Sequence, residues 1–386
     1  MTASFLLDLG IAVAAALLFS VLFYKLGLPM IAGQLVAGML VGPYAPYPLG
    51  LIRDTTSIDF LANLGIILLL FVIGLEMDPR KFGKLGLRVV ILTSFEFLVT
   101  FLVGVLSALT IGWSLGEALF LASVLSLSST AIVAKLLTER SPEHQEGVTS
   151  TIMMVLVLED LIAVFLLFLT PELAGAGQFQ ASSLAVIGGK AILLFGAAFV
   201  FGRYLGPKLI NLVSQYELEI GEVSFLLALS FGFLFGVLSE YLGFSPGIGA
   251  LLVGFFLPMK HSRYVRDKIL PLKEAFIVFF FLSMGTLVNP SSVLALGLPL
   301  TIVMAGAVVG KFGGGYLGAK FAKIEPPLLV GSILIPRGEF SLVLAKAGVD
   351  SGLVPPQLYP VAGFAVLITT LTSSIIGKRV VREPQR

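Results

Sequence analysis

Residues 115–138 read LGEALFLASVLSLSSTAIVAKLLT, and residues 325–347 read EPPLLVGSILIPRGEFSLVLAKA. Each run is apolar enough and long enough to cross a bilayer as helix, which takes roughly 20 residues. Each is also interrupted halfway. In the first, Ser126, Ser128, Ser129 and Thr130 crowd one helical turn, and hydroxyl side chains compete for the backbone groups a helix needs. In the second, Pro336 removes a backbone donor and Gly338 follows closely. Two apolar spans broken at matching depth point to a polytopic all-α membrane protein whose irregular backbone lines a polar site.

The rest of the chain agrees. Of its 386 residues 57% are hydrophobic and only 12% charged, too few charges to cover a soluble domain of this length. The net charge of +2 gives no reason to expect nucleic acid as a partner, and the absence of Cys excludes disulfides. The first apolar run, from Ser4 to Tyr24, carries Asp8 and lacks a basic leader, so it reads as a retained helix. Thirteen spans are expected, at about 4–24, 29–43, 58–76, 87–111, 115–138, 147–171, 184–210, 219–242, 244–259, 273–288, 292–319, 325–347 and 355–377.

Basic residues sort by loop. Alternate loops and the tail hold Lys25, Arg80, Lys81, Lys84, Arg88, Lys135, Arg140, Arg203, Lys208, Lys260, Arg263, Arg266, Lys268, Lys273, Lys320, Lys323, Lys378, Arg379, Arg382 and Arg386. The opposite side holds Arg53 and Lys346, with Lys190 near it. This asymmetry places the N-terminus outside and the C-terminus in the cytoplasm, and it requires an odd number of spans.

The chain also resembles itself. Leu26-Gly27-Leu28-Pro29, followed by Gly33 and Gly38, parallels Leu242-Gly243-Phe244-Ser245, followed by Gly249 and Gly254. FVIGLEMDP at 71–79 parallels LSMGTLVNP at 282–290, aligning Gly74 with Gly285, Asp78 with Asn289 and Pro79 with Pro290. Ala134-Lys135 parallels Ala345-Lys346. Repeat one is expected at about 4–171, a connecting helix at about 184–210 and repeat two at about 219–377, within a single membrane domain over 1–386. An odd separation of seven spans makes the two six-helix repeats inverted, the pattern of alternating-access transporters.

Charges deep in a span cost about 2.5–3.5 kcal/mol each on insertion scales and mark candidate sites. Glu159 and Asp160 lie midway along the sixth span, Lys311 along the eleventh, and Arg337 and Glu339 along the twelfth. Adjacent acids on one helix point about 100° apart. One is therefore expected to hold a salt bridge while the other binds a cation or a proton. Glu96, in the fourth span, reads as a packing charge or a boundary residue. Freed carbonyls and hydroxyls at the two breaks are expected to offer oxygen to a monovalent cation, and Arg337, Glu339 or Lys311 to compensate the partial charges of the half-helix ends.

The stretch LSSTAI at 127–132, the Glu159-Asp160 pair, Gly310-Lys311 and PRGEF at 336–340 resemble the monovalent cation/proton antiporter superfamily, closest to its branch of Kef-type and NapA-type antiporters. The resemblance covers nearly the whole chain. It implies two crossed discontinuous helices, a dimer domain, a mobile core and an elevator-like mechanism in a homodimer. It implies Na+ or K+ exchanged for H+, no cofactor and no enzyme activity, in a membrane such as a prokaryotic inner membrane. By this resemblance Asp160 is the ion- and proton-binding aspartate and the ligand of the monovalent cation. Glu159 takes the preceding position, bridged to Lys311 where other members have Asp or Gln. Thr130 and Ser129 lie at the crossover near the ion and are implied, with Asp160 and Glu159, as the ion- and proton-binding residues, and Arg337 and Glu339 are the charged pair of the second broken helix. No Gly-rich dinucleotide fingerprint follows the last span, so no cytoplasmic regulatory domain is expected within these residues. The alternative is a sodium-coupled organic-anion symporter of related fold, which has no need of an acid beside Lys311.

Overall fold

The computed structural model describes residues 2–46, 48–52, 55–77, 86–138, 146–175, 181–214, 223–289 and 297–382. Arg53, Asp78, Pro79, Arg80, Lys81, Lys84, Arg140, Pro290 and Arg386, all used in the sequence reading, lie outside the described residues. Among the described residues the structure is entirely helical. Seven helices are long and apolar enough to cross a membrane by themselves, and five shorter apolar helices accompany them.

The chain divides into two compact units. The first comprises residues 1–55, 85–166 and 281–386, and the second 56–84 and 167–280. The first unit contains α1 (Thr2–Lys25), α2 (Met30–Val41), α4 (Leu87–Thr110), α5 (Leu115–Leu125), α6 (Thr130–Thr138), most of α7 (Glu146–Gly175), α13 (Gly297–Ala322), α14 (Pro327–Ile333), α15 (Glu339–Asp350) and α16 (Leu358–Arg382). The second contains α3 (Thr56–Glu76), α8 (Ala181–Val200), α9 (Gly206–Ser214), α10 (Val223–Tyr241), α11 (Pro246–Phe256) and most of α12 (Met259–Thr286). A π-helical turn, Phe201–Leu205, joins α8 to α9. Its Phe201 ring packs against Phe231 and Phe235 of α10.

One boundary departs from the sequence reading. The tenth span was expected at 273–288, with its basic residues in a preceding loop. Instead α12 begins at Met259 and runs without interruption through Pro271. The stretch KHSRYVRDK is charged but rich in good helix formers. Hydropathy marks the part of a helix that suits lipid, whereas the helix itself continues beyond it.

Glycines set how closely the helices of each unit approach. In the first unit Gly38 of α2 faces Gly285 of α12 so closely that a methyl on either would strike the other's backbone. In the second unit Gly254 of α11 meets the Phe71 carbonyl of α3, and Gly74 of α3 meets the Leu251 carbonyl. These are the glycines aligned by the internal repeat. A longer glycine seam of the first unit lies between α4 and α13. Down one face of α13, Gly310 meets Thr100, Gly314 meets the Glu96 backbone and Gly318 meets Leu92. Small residues at this spacing let helix backbones touch, which in lipid substitutes for hydrophobic driving force. Beneath the seam a core of Val89, Leu92, Val133, Leu137, Ile152, Val155, Leu156, Leu329, Val330 and Ile333 ties α4, α6, α7 and α14 together.

The seam yields a paired prediction. A methyl at Gly314 would lie within 2.7–3.2 Å of the Glu96 backbone, whereas one at the adjacent Gly313 meets open space. Gly314→Ala is expected to lower the thermal unfolding midpoint in detergent by roughly 3–8 °C. Gly313→Ala is expected to leave it unchanged or raise it, as Ala is the better helix former.

Candidate functional site: two broken helices and their charges

Both interrupted spans break where the sequence suggests, and the breaks cross within the first unit. The helical hydrogen bonding stops at Leu125 and resumes at Thr130; in the second span it stops at Ile333 and resumes at Glu339. The Ser129 N–H donates to the Pro336 carbonyl at 2.8 Å. The Ser128 hydroxyl donates to the Leu334 carbonyl, and the Ser341 hydroxyl to the Leu127 carbonyl, both at 3.2 Å. Gly338 permits the crossing. It is extended (φ −146°, ψ −152°), and a Cβ there would fall 2.9 Å from the Ser129 Cα.

Ending a helix inside lipid leaves carbonyls without donors at one half-helix and N–H groups without acceptors at the next. Cations take the first kind. Arg337, fully buried, donates through Nε to the Leu125 carbonyl at 2.9 Å, through one terminal nitrogen to Ile335 at 2.5 Å, and through the other to Ala307 at 2.6 Å. Lys311, also fully buried, donates to the Ser126 carbonyl. Acids and hydroxyls take the second kind. The Glu159 carboxylate accepts the Ser128 N–H at 2.6 Å, and its other oxygen lies 3.2 Å from the Ser128 hydroxyl, whose one proton it shares with the Leu334 carbonyl. The Ser129 hydroxyl accepts the Ile132 N–H and so caps α6. Positive groups thus sit at the negative C-terminal ends of the half-helices and negative groups at the positive N-terminal ends.

The expected Glu159–Lys311 bridge is present but long, at 3.4 Å. The closer partner of Lys311 is Glu96, whose carboxylate oxygen Oε1 touches Nζ and which is itself completely buried. Glu96, expected as a packing charge or a boundary residue, is thus a charge paired inside the bundle. Glu96 and Lys311 are 215 residues apart, close to the 211 to 216 that separate the glycines paired in the sequence. Arg337, one of the charges expected to compensate the half-helix ends, lies on backbone carbonyls. Among the described residues Arg337 makes no ion pair; its guanidinium goes to Leu125 and Ile335, carbonyls that have lost their helical donors at the breaks, and to Ala307 within the continuous helix α13. For the same reason the break carbonyls already accept protein donors, where the sequence reading offered them to a cation.

The remaining acids lie differently. Asp160, Thr130 and Glu339 are only partly buried, unlike Glu159, Glu96, Lys311 and Arg337. The Thr130 hydroxyl, in the first turn of α6, reaches both oxygens of Asp160 at 3.3 and 3.4 Å. The charges bearing on Asp160 are those of Glu339, at the start of α15, and then Glu159. Among the described residues no Lys or Arg forms an ion pair with Asp160. The crossing therefore has a sealed part, in which two acids and two bases compensate one another, and a more open acidic part around Asp160.

Helix breaks that meet inside an apolar bundle and are ringed by buried charge define a multi-pass membrane protein with a polar centre. Residues 12–383 match the model of the transmembrane sodium/hydrogen exchanger family. The chain is 30% identical over 397 residues to the K(+)/H(+) antiporter subunit KhtU of Bacillus subtilis, covering 98% of this chain and 93% of KhtU. It is 28% identical over 371 residues to the Na(+)/H(+) antiporter of Enterococcus hirae, covering 92% of each. It is 30% identical over 380 residues to the glutathione-regulated potassium-efflux system protein KefC of an Enterobacter species, of which it spans 58%. The solved structure of the sodium proton antiporter MjNhaP1 from Methanocaldococcus jannaschii shares the fold, with a TM-score of 0.66 at 17% identity over 98% of this chain and all of that one. The chain belongs to the sodium/hydrogen exchanger family of monovalent cation/proton antiporters, on its Kef-type side.

Arg337→Met would leave the Leu125 and Ile335 carbonyls at the breaks without their charged donor, at about 1–3 kcal/mol each. The variant is expected to be largely aggregated on size exclusion in detergent, with Arg337→Lys intermediate, since an ammonium reaches fewer of the three positions.

Proposed function

We propose that this chain is a secondary antiporter that exchanges Na+ or K+ for H+ by alternating access, with Asp160 holding either the cation or the proton. The observation that carries the reading is the setting of Asp160. It is a partly open carboxylate at the N-terminal end of a broken helix, beside a hydroxyl and two further acids, in a site whose resident cations are engaged elsewhere. A carboxylate so placed attracts one positive charge, and a proton and an alkali ion are rivals for it. That competition couples the two fluxes without any cofactor. The names of its relatives agree, one being a K(+)/H(+) and another a Na(+)/H(+) antiporter.

In this reading Asp160 and Thr130 face the ion and Glu159 and Ser129 hold the start of α6. Lys311, Arg337 and Glu339 compensate charge at the crossing. The matched glycine approaches of the two units, Gly38 with Gly285 and Gly254 with Gly74, support two inverted repeats within thirteen spans. The loop charges support an outside N-terminus and a cytoplasmic C-terminus in a cell membrane, and the resemblance supports a homodimer.

The test is flux in proteoliposomes. With a pH gradient imposed and an internal pH dye, addition of Na+ or K+ is expected to dissipate the gradient through the unaltered protein. Asp160→Asn is expected to abolish this for every alkali cation while inserting and folding normally. Exchange at the unaltered rate in Asp160→Asn rules out the assignment.

A further inference from the structure

The two broken helices release backbone amides at matching places, and these amides go to different helices. α6 begins at Thr130 and α15 at Glu339, so Ser128 and Arg337 each lie two residues before the second half-helix. The Ser128 N–H is accepted by Glu159 of α7 at 2.6 Å. The Arg337 N–H is accepted by the Thr369 hydroxyl of α16 at 3.2 Å. α7 and α16 carry the sixth and thirteenth expected spans, the last of each repeat. Thr369 is fully buried, and its own proton returns to the Ala365 carbonyl at 2.6 Å. Its oxygen is thereby turned to the break as an acceptor. Where the first break has a carboxylate, the second has a neutral hydroxyl. A carboxylate at Thr369 would add a further buried charge close to Glu339, at the cost any charge carries inside lipid.

We propose that Thr369 is a positioning residue of the exchange site, anchoring the second break from α16 and so holding the start of α15, with Glu339, toward Asp160. The Arg337 amide is buried, and an N–H left without an acceptor there is costly enough to displace the segment that carries it. Glu339 follows that amide by two residues and is the first residue of α15. It is also the acid whose charge bears most on Asp160. With the Thr369 hydroxyl gone, the start of α15 is released from α16, and Glu339 no longer keeps its place beside Asp160. The site then loses part of the negative charge that draws a cation, so affinity for the ion falls while the crossing itself persists. The side chain of Arg337 is held separately by its three carbonyls, and Thr369 acts on its backbone alone.

Two readouts on the full chain test this. Thr369→Val keeps the side-chain shape and removes the acceptor. In detergent, hydrogen exchange of the Arg337 amide, read on peptides spanning the second break, is expected to quicken by roughly 2–10-fold, the equivalent of one lost hydrogen bond. Thr369→Ser is expected to restore it. Thr372→Val is the control on the same helix, because the Thr372 hydroxyl returns to the Ile368 carbonyl at 2.7 Å, and it is expected to leave exchange at the break unchanged. The second readout rests on the antiport reading. In proteoliposomes Thr369→Val is expected to raise the apparent KM for Na+ or K+ by roughly threefold or more with the maximal rate little changed. Thr369→Ser and Thr372→Val are expected to keep the unaltered KM. Unchanged amide exchange in Thr369→Val overturns the proposal, as does faster amide exchange with an unmoved KM, which leaves Thr369 a purely structural role. An equal response in Thr372→Val also overturns it. Should Thr369→Val not fold, Thr369→Ala is read in the same way. If the unaltered protein transports no ions, the antiport reading has failed, and amide exchange still decides whether Thr369 anchors the break.

Discussion

A helix interrupted halfway through lipid has no water to satisfy the groups it releases, and that constraint shapes the centre of this protein. The two breaks answer it by crossing. The Ser129 amide meets the Pro336 carbonyl, and the Ser128 and Ser341 hydroxyls each reach the opposite strand. The groups these contacts leave are met by side chains from α7, α13 and the second break. Neither break is stable without the other, so the crossing behaves as one object. Its tolerance for larger side chains is correspondingly small, as the approach of Gly338 to Ser129 illustrates.

Charge follows from the same geometry. Half-helix ends carry partial charges that add to the cost of burial unless opposed. Lys311 and Arg337 oppose the carbonyl ends, and Glu159 opposes an amide end. Once these are assigned, the sealed interior is balanced between two acids and two bases, and the carboxylate of Asp160 stays open to exchange. The site is therefore selective for charge through what has already been used up. The backbone oxygens of the breaks are engaged, and the groups left for a cation, on the proposed reading, are the Asp160 carboxylate and the Thr130 hydroxyl.

Much of this was legible in the sequence. The apolar runs marked an all-helical chain, with seven helices long and apolar enough to cross a membrane and five shorter ones among the described residues, because lipid demands length and hydropathy together. The Ser-rich stretch at 126–130 and Pro336 with Gly338 located both breaks, because those residues weaken a helix wherever they occur. The glycines of the internal repeat fall at the close approaches of both units. What stayed hidden was pairing. One sequence position does not state which of two acids a lysine prefers, and Glu96, read alone, looked like a packing charge. Its importance comes from the α4–α13 seam, which only three-dimensional contact reveals. Arg337 was legible as a charge that compensates a half-helix end, but which carbonyls it reaches, Leu125 and Ile335 at the breaks and Ala307 on α13, depends on contacts distant in sequence. The start of α12 was hidden because charge hides a helix from a hydropathy reading without weakening it.

The central claim is that Asp160 accommodates a proton or an alkali cation but never both. It is tested most directly by measuring protons released into weakly buffered detergent solution as Na+ or K+ binds to the purified protein. The account predicts release that saturates with cation binding and disappears in Asp160→Asn. Saturable cation binding with no proton released, or release that persists undiminished in that variant, would contradict it.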